Sequence, residues 1–379
     1  MDLFSDLPEP EGDEKKQPDE SNEATLQTSH NDVPTSPRLS EKTVERKTED
    51  TQSPSAEVVS EKSDENAVSK RQFRDDDEDR PSVKRLAMGI YRLQGFSAER
   101  QGERDSMQDA HVILDDFTSH LTNVPSTISR MAYYAVFDGH SGDRASKHAA
   151  RTLHTHLAIK FPQGEATNRD KEIKKCMIDT FKVTDEAFLK QASASKPVWK
   201  DGSTAVCVLV VDNTLYIANL GDSKAILCRF NPETGRHQPL PLTKDHSPTQ
   251  YEERIRIQKA GGYVRDGRVM GIVEVSRSLG DGRFKHCGVS CVPDIKKCQL
   301  GASDRFLLMA CDGLWKGFTE DSAIQFINEI LDEEDIKQVE GRSQDEVRFE
   351  TACNRLASEA IRRGSSDNIT VVLVNIQNK

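Results

Sequence analysis

The sequence has no run approaching the ~18 consecutive apolar residues of a membrane-spanning helix. Its opening, MDLFSDLPEP, is acidic and lacks the basic segment followed by an apolar stretch that marks a secretion signal. The chain is therefore expected to be soluble and intracellular, free of membrane, and cytoplasmic with a nuclear share left open. A basic surplus is missing as well. Of 52 Lys+Arg and 63 Asp+Glu in the 379 residues, residues 1–88 carry 13 and 23. The acidity sits in that opening segment, and the nearly neutral remainder offers no broad basic face for nucleic acid. Aromatic and basic residues do not interleave as they do in a nucleic-acid groove.

A zinc pattern is absent too. Cys287, Cys291 and Cys298 have no fourth ligand nearby. The eight cysteines do not read as a disulfide framework either. Cys207 in STAVCVLVV and Cys311 in RFLLMAC look like small buried hydrophobes, so reduced thiols are expected. No internal repeat of solenoid period is visible.

What is present divides into two parts. Residues 1–85 are rich in Ser, Thr, Glu and Asp, with Phe4 and Phe73 as their only aromatics. Such a segment buries too little apolar area to offset its ordering entropy, so an acidic disordered tail is expected. It carries Ser36-Pro37 and Ser53-Pro54 as phosphorylation candidates and a possible docking motif at its start. Lys70-Arg71 and Lys84-Arg85 flank an acidic run in the manner of a bipartite import signal, although a solvated mixed-charge linker reads the same way.

From residue 86 to 379 the pattern is that of one globular domain. Apolar and β-branched runs predict strands at 90–98, 110–117, 130–137, 204–211, 215–219, 225–230, 305–311 and 369–376, with a hairpin region at 269–275. Helical spacing predicts helices at 144–161, 171–191, 249–260, 320–332 and 345–363. Hairpin-linked strands with helices grouped in pairs argue for an α+β architecture of antiparallel sheets covered by helices.

Four apolar runs meet an isolated carboxylate. They are AYYAVF before Asp138-Gly139-His140, LYIANL before Gly221-Asp222, RFLLMAC before Asp312-Gly313, and the last strand, which follows Asp367-Asn368. Converging carboxylates repel one another unless cations neutralise them, and oxygen-only ligands favour hard ions such as Mg²⁺ or Mn²⁺. Asp201-Gly202, Asp266-Gly267 and Asp281-Gly282 follow polar stretches and are read as turns. Upstream, GERDSMQDAH holds Arg104, a planar fork suited to phosphate oxygens. Thr204 and Arg277 are read as packing or local hydrogen-bonding residues.

ERDSMQDAH, FDGHSGDRAS, DGSTAVCVLV, NLGDSKAIL, VSRSLGD, ACDGLW and SSDNITVVLV occur in the order found in metal-dependent Ser/Thr protein phosphatases of type 2C, which the chain resembles from 89 to 378. The opening MDLFSDLPEP, the QDAH and CDGLWK variants and KPVWKDGSTA resemble the branch of that family associated with integrin-linked kinase. The resemblance implies a four-layer α-β-β-α sandwich of two antiparallel sheets flanked by helices, acting as a monomer on phosphoprotein substrates. It implies hydrolysis of phosphoserine or phosphothreonine by direct attack of a hydroxide bridging two Mg²⁺ or Mn²⁺ ions. By resemblance, Asp138 would bridge the ions and the Gly139 carbonyl would hold one of them. Asp312 and Asp367 would hold the other, and Asp222 would help Asp312 with a weak third. Asp109 would orient water, Arg104 would clamp the phosphoryl oxygens, and His140 would protonate the leaving alkoxide.

Two positions depart from the family. Gln108 stands where a Glu is usual, an uncharged candidate for the second ion, and Lys316 stands where an Asp is usual, four residues after Asp312. A cation there should disfavour the third ion by like-charge repulsion, so a higher divalent-ion requirement is expected than in an all-carboxylate relative. The same two residues support the alternative of a catalytically weak scaffold that binds signalling partners through the phosphatase fold. A nuclease is the other competing class, and the neutral domain speaks against it.

Overall fold

The computed structural model describes residues 89–164 and 168–377. The expected disordered tail lies outside the described residues, together with its basic pairs, Ser-Pro sites and docking motif. In chain order the elements are β1 (Arg92–Arg100), β2 (Ala110–Leu114), β3 (Met131–Phe137), β4 (Gly139–His140), α1 (Arg144–Lys160), α2 (Arg169–Ala194), β5 (Gly202–Ser203), β6 (Ala205–Val211), β7 (Thr214–Leu220), β8 (Lys224–Asn231), β9 (Arg236–Pro241), α3 (Tyr251–Lys259), β10 (Val264–Arg265), β11 (Arg268–Val269), β12 (Leu279–Gly280), β13 (Asp294–Gln299), β14 (Asp304–Ala310), α4 (Asp312–Gly317), α5 (Glu320–Leu331), α6 (Gln344–Arg362) and β15 (Ile369–Gln377).

Two five-stranded antiparallel sheets form the centre, with strand orders β1-β15-β14-β8-β9 and β13-β7-β6-β3-β2. Strand β6 shows why they stack. Its residues Val206, Val208 and Val210 join a cluster with Leu307, Met309, Val372 and Val374 of the other sheet. Its alternate residues Ala205, Cys207 and Leu209 join Leu153, Leu157, Met177 and Phe181 of α1 and α2. Side chains alternate across a strand, so a strand covered on both faces must be apolar at every position. Each such Val or Leu contributes about 1.5–3 kcal/mol on burial. On the far side, Ile324, Ile327, Phe349 and Leu356 of α5 and α6 cover Phe306, Leu308, Val371 and Leu373. The layers therefore run helix, sheet, sheet, helix, as expected. Both outer helices start on reciprocal caps, Thr319 with Ser322 and Ser343 with Glu346.

The predicted helices and main strands are present within a few residues of their expected ends. The sequence reading missed the edge strands β9 and β13. RHQPLP carries two prolines, which only an edge strand tolerates, and DIKKCQ carries the lysines that protect an edge. The expected hairpin at 269–275 is present only as a single antiparallel bridge, Val269 to Val273, and the paired strands β10–β11 come just before it, turning at Asp266 (φ 52°) and Gly267 (φ 76°). Two successive positive φ values are what a tight hairpin of this hand requires. All eight cysteines are free. Among the described residues no helix is long and apolar enough to cross a membrane.

Strand register sets the position of the site. Ala110 faces Phe137 and Val136 faces Val206, while Ala205 faces Leu220. In the other sheet Ala310 faces both Lys224 and Val371. The chain therefore delivers residues 109, 138, 204, 222, 312 and 367 to one rim of the sandwich.

Candidate active site

All eight site residues expected from the sequence line one open cleft of about 520 Å³ at this rim: Arg104, Gln108, Asp138, Gly139, His140, Asp222, Asp312 and Asp367. Asp109 lies behind it, 4% exposed. Backbone contacts fix the positions. The Asp138 N–H donates to Thr204 Oγ1 at 3.3 Å, and Thr204 N–H donates to the Asp138 carbonyl at 2.9 Å. Thr204 Oγ1 and Ser223 Oγ are 2.8 Å apart, which makes Thr204 the local fastener expected of it. Gly139 must lack a side chain, because a Cβ there would collide with the Gln108 carbonyl and Ser146 Oγ.

The carboxylates fall into two groups. Asp109, Asp138 and Asp222 have no ion-pair partner among the described residues. Burial, then the charges of Asp109, Asp312, Asp222 and Asp367, push the Asp138 carboxyl well above the ordinary range. Burial lifts Asp222 to about 7, with Asp312 adding to it. Burial lifts Asp109 to about 6 against a hydrogen bond from Thr370 Oγ1 at 2.8 Å. The second Asp109 oxygen, Oδ1, is buried and receives no hydrogen bond. Asp312 and Asp367 are different. Lys316 Nζ lies 2.8 Å from Asp312 Oδ2 and also bonds Asp367 Oδ2. Arg104 reaches the same Asp367 oxygen at 2.9 Å. Burial raises Asp367, and the Lys316 and Arg104 charges outweigh it and hold its carboxyl low.

This donor set fits a divalent cation. It is oxygen-rich, mutually repelling and includes an orphaned buried carboxylate oxygen. Ligand atoms of Asp109, Asp138 and Cys311 lie within 4.8 Å of one another. The Cys311 sulfur is engaged elsewhere, accepting from Thr370 N–H at 3.1 Å. Burial, with Asp109 and Asp138 beside it, pushes the thiol far up. It borders the oxygen donors as a protonated neighbour. Gln108 sits in the cleft with its amide oxygen 3.3 Å from the Gly142 N–H.

Three residues escaped the sequence reading. Asp281 is not merely a turn residue. It is buried, and its Oδ2 lies 2.7 Å from His140 Nε2 and accepts from Ser278 Oγ at 2.6 Å. Burial lowers the His140 pKa, and the Asp281 charge and hydrogen bond override that and raise it. Asp201 likewise holds the start of α1 through Arg144 N and Nη1 at 3.1 and 3.0 Å. The third residue is Asn368. Its side chain accepts from Gln108 N–H at 2.8 Å and donates to the Gln101 and Ser106 carbonyls at 2.8 and 3.1 Å, tying down the loop that carries Arg104. Arg277 is the local residue expected of it, pairing with Glu253 and Asp294 at 2.7 Å each.

A four-layer sandwich with an acid-lined cleft at one rim defines a metal-dependent phosphatase, and the chain belongs to the protein phosphatase 2C family, whose description fits residues 93–369. It is a Ser/Thr phosphatase of that family. It is 61% identical over 287 residues to the integrin-linked kinase-associated serine/threonine phosphatase 2C of Homo sapiens, covering 76% of this chain and 73% of that one. To the Bos taurus protein of the same description it is 60% identical over 287 residues, 76% of this chain and 78% of the other. The crystal structure of serine-threonine phosphatase 2C from Toxoplasma gondii shares the fold, with a TM-score of 0.61 at 20% identity over 75% of this chain and 95% of that one.

Proposed function

We propose that residues 86–379 form the catalytic domain and that its cleft hydrolyses phosphoserine and phosphothreonine in phosphoproteins without a covalent intermediate. The observation that carries this reading is the convergence of Asp138, Asp222, Asp312 and Asp367 with Arg104 and His140 in one cleft. Asp138, the Gly139 carbonyl, Asp312, Asp367 and Asp222 would hold Mg²⁺ or Mn²⁺, with Gln108 bordering them. Two ions are the working number. When bound, such ions neutralise the carboxylates and lower the pKa of coordinated water.

The protein groups do the rest. Arg104, 61% exposed at its side chain, swings between Asp367 and the phosphoryl oxygens. His140 carries the proton that the departing Ser or Thr oxygen needs, and Asp281 raises its pKa and so favours the protonated ring. Asp109 orients water from behind Asp138. The setting we propose is a monomer in the cytoplasm, with a nuclear share left open; the relatives' description supports only the association with integrin-linked kinase.

The test is phosphate release from a phosphopeptide by the full chain, with Mn²⁺ and with EDTA, beside Asp312→Ala. Release that needs Mn²⁺ and falls by at least about a hundredfold in the variant supports the reading. Equal release by Asp312→Ala overturns it.

A further inference from the structure

Asp185 is an acid on the inward stripe of α2, among the buried Met177, Phe181, Phe188 and Ala192. Those positions recur at helical spacing and call for apolar volume, so a carboxylate there costs free energy unless it is paired. Its side chain is only 5% exposed. One oxygen, Oδ1, accepts the Gly280 N–H at 2.7 Å. The other, Oδ2, lies 3.1 Å from Lys285 Nζ, which also donates to the Ser278 carbonyl at 2.7 Å. The carboxylate and the ammonium together close a clasp around residues 278–285.

That stretch is where the chain needs holding. Gly280 and Asp281 both have positive φ, 76° and 51°, and a left-handed aspartate persists only where its surroundings enforce it. From the middle of the stretch, Asp281 Oδ2 reaches His140 Nε2 at 2.7 Å and accepts from Ser278 Oγ at 2.6 Å. Gly280 and His140 both pair with Gly202, so a shift of Gly280 displaces Asp281 relative to His140. We infer that Asp185 is a positioning residue for the reaction: from α2 it holds the 278–285 turn so that Asp281 stays against His140. The inference rests on the reading of His140 as the proton donor. It extends the working site to a helix that contributes no residue to the catalytic cleft.

The leaving group separates this role from a merely structural one. A serine oxygen needs a proton as it departs, whereas nitrophenolate leaves without one. In the full chain at saturating Mn²⁺, Asp185→Ala should lower kcat on a phosphoserine peptide by about 10–100-fold. Its kcat on p-nitrophenyl phosphate should change by no more than about twofold. Asp185→Asn keeps the volume and one acceptor for the Gly280 N–H, and it decides the matter if Asp185→Ala does not fold. It should lose about 5–10-fold on the peptide and again spare p-nitrophenyl phosphate. Because the two residues act in series, an Asp281→Ala background should absorb most of the loss caused by either Asp185 variant. Suppose Asp281→Ala shows the peptide-selective loss. Then an unchanged ratio of the two kcat values in the Asp185 variant that folds, or losses that multiply in full in the double variant, overturns the inference alone. An Asp281→Ala variant that slows both substrates equally, or neither, overturns His140 as the proton donor and the inference with it.

Discussion

His140 and Asp281 are 141 positions apart in the chain and 2.7 Å apart in the fold. A proton donor works best when its protonated form is favoured, and the Asp281 carboxylate supplies the field that raises the His140 pKa. Gly202 is the spacer, since a Cβ on it would strike both His140 Nε2 and Asp281 Oδ2. Asp281→Asn keeps the shape and removes the charge. The His140 pKa should then fall, so the alkaline limb of the kcat/KM profile should move to lower pH and kcat at pH 7 should drop by about 10–100-fold. A full pH–rate profile checks this, and an unmoved limb counts against His140 as the proton donor. The sequence alone did not disclose the pair. Asp-Gly after a polar stretch is turn chemistry in most settings, and Asp281 does sit at φ 51° as a turn residue would. Nothing local signals that such a turn also buries its carboxylate against a histidine.

The elements legible in the sequence were those packed on both faces. Strands β3, β6 and β14 and helices α5 and α6 announce themselves because burial on two sides, or along one stripe, leaves a periodic apolar record. The edge strands β9 and β13 leave none, because half their surface faces solvent and their composition is set by protection against pairing. The carboxylates were visible at strand ends, yet the loop from residue 101 to 108 was not, since its order comes from Asn368, some 260 positions on in the chain and just before the paired strand β15. That dependence gives a prediction. Asn368→Ala should lose about 1–3 kcal/mol of stability from unpaired loop groups and raise KM for a phosphopeptide, as Arg104 loses its support. Chemical denaturation and steady-state kinetics on the same preparation check both.

Seen as a whole, the ion-free protein has to contain acids whose carboxyl groups are raised in the folded state, Asp109 to about 6 and Asp222 to about 7 from an ordinary 3.8, with Asp138 raised as well. A raised carboxyl favours the folded state while protonated, and the advantage is lost as pH climbs through the folded value. Asp367 and Glu253 are lowered and act only at more acid pH, below about 4. Between pH 5 and pH 8 these carboxyls pull the EDTA midpoint down, while histidines lowered by burial, such as His148 and His246, pull it up. Saturating Mn²⁺ removes the carboxyl part, so the midpoint gained on adding Mn²⁺ should grow from pH 5 to pH 8, and a gain that shrinks over that interval contradicts the account. The rim has a mechanical side too. Asp138 leaves a strand of one sheet, while Asp312 and Asp367 belong to strand ends of the other. An ion held by both Asp138 and Asp312 would therefore act as a rivet through both halves of the sandwich. Loading the cleft would then stiffen the rim, adding a fixed link to the packed contact between the sheets.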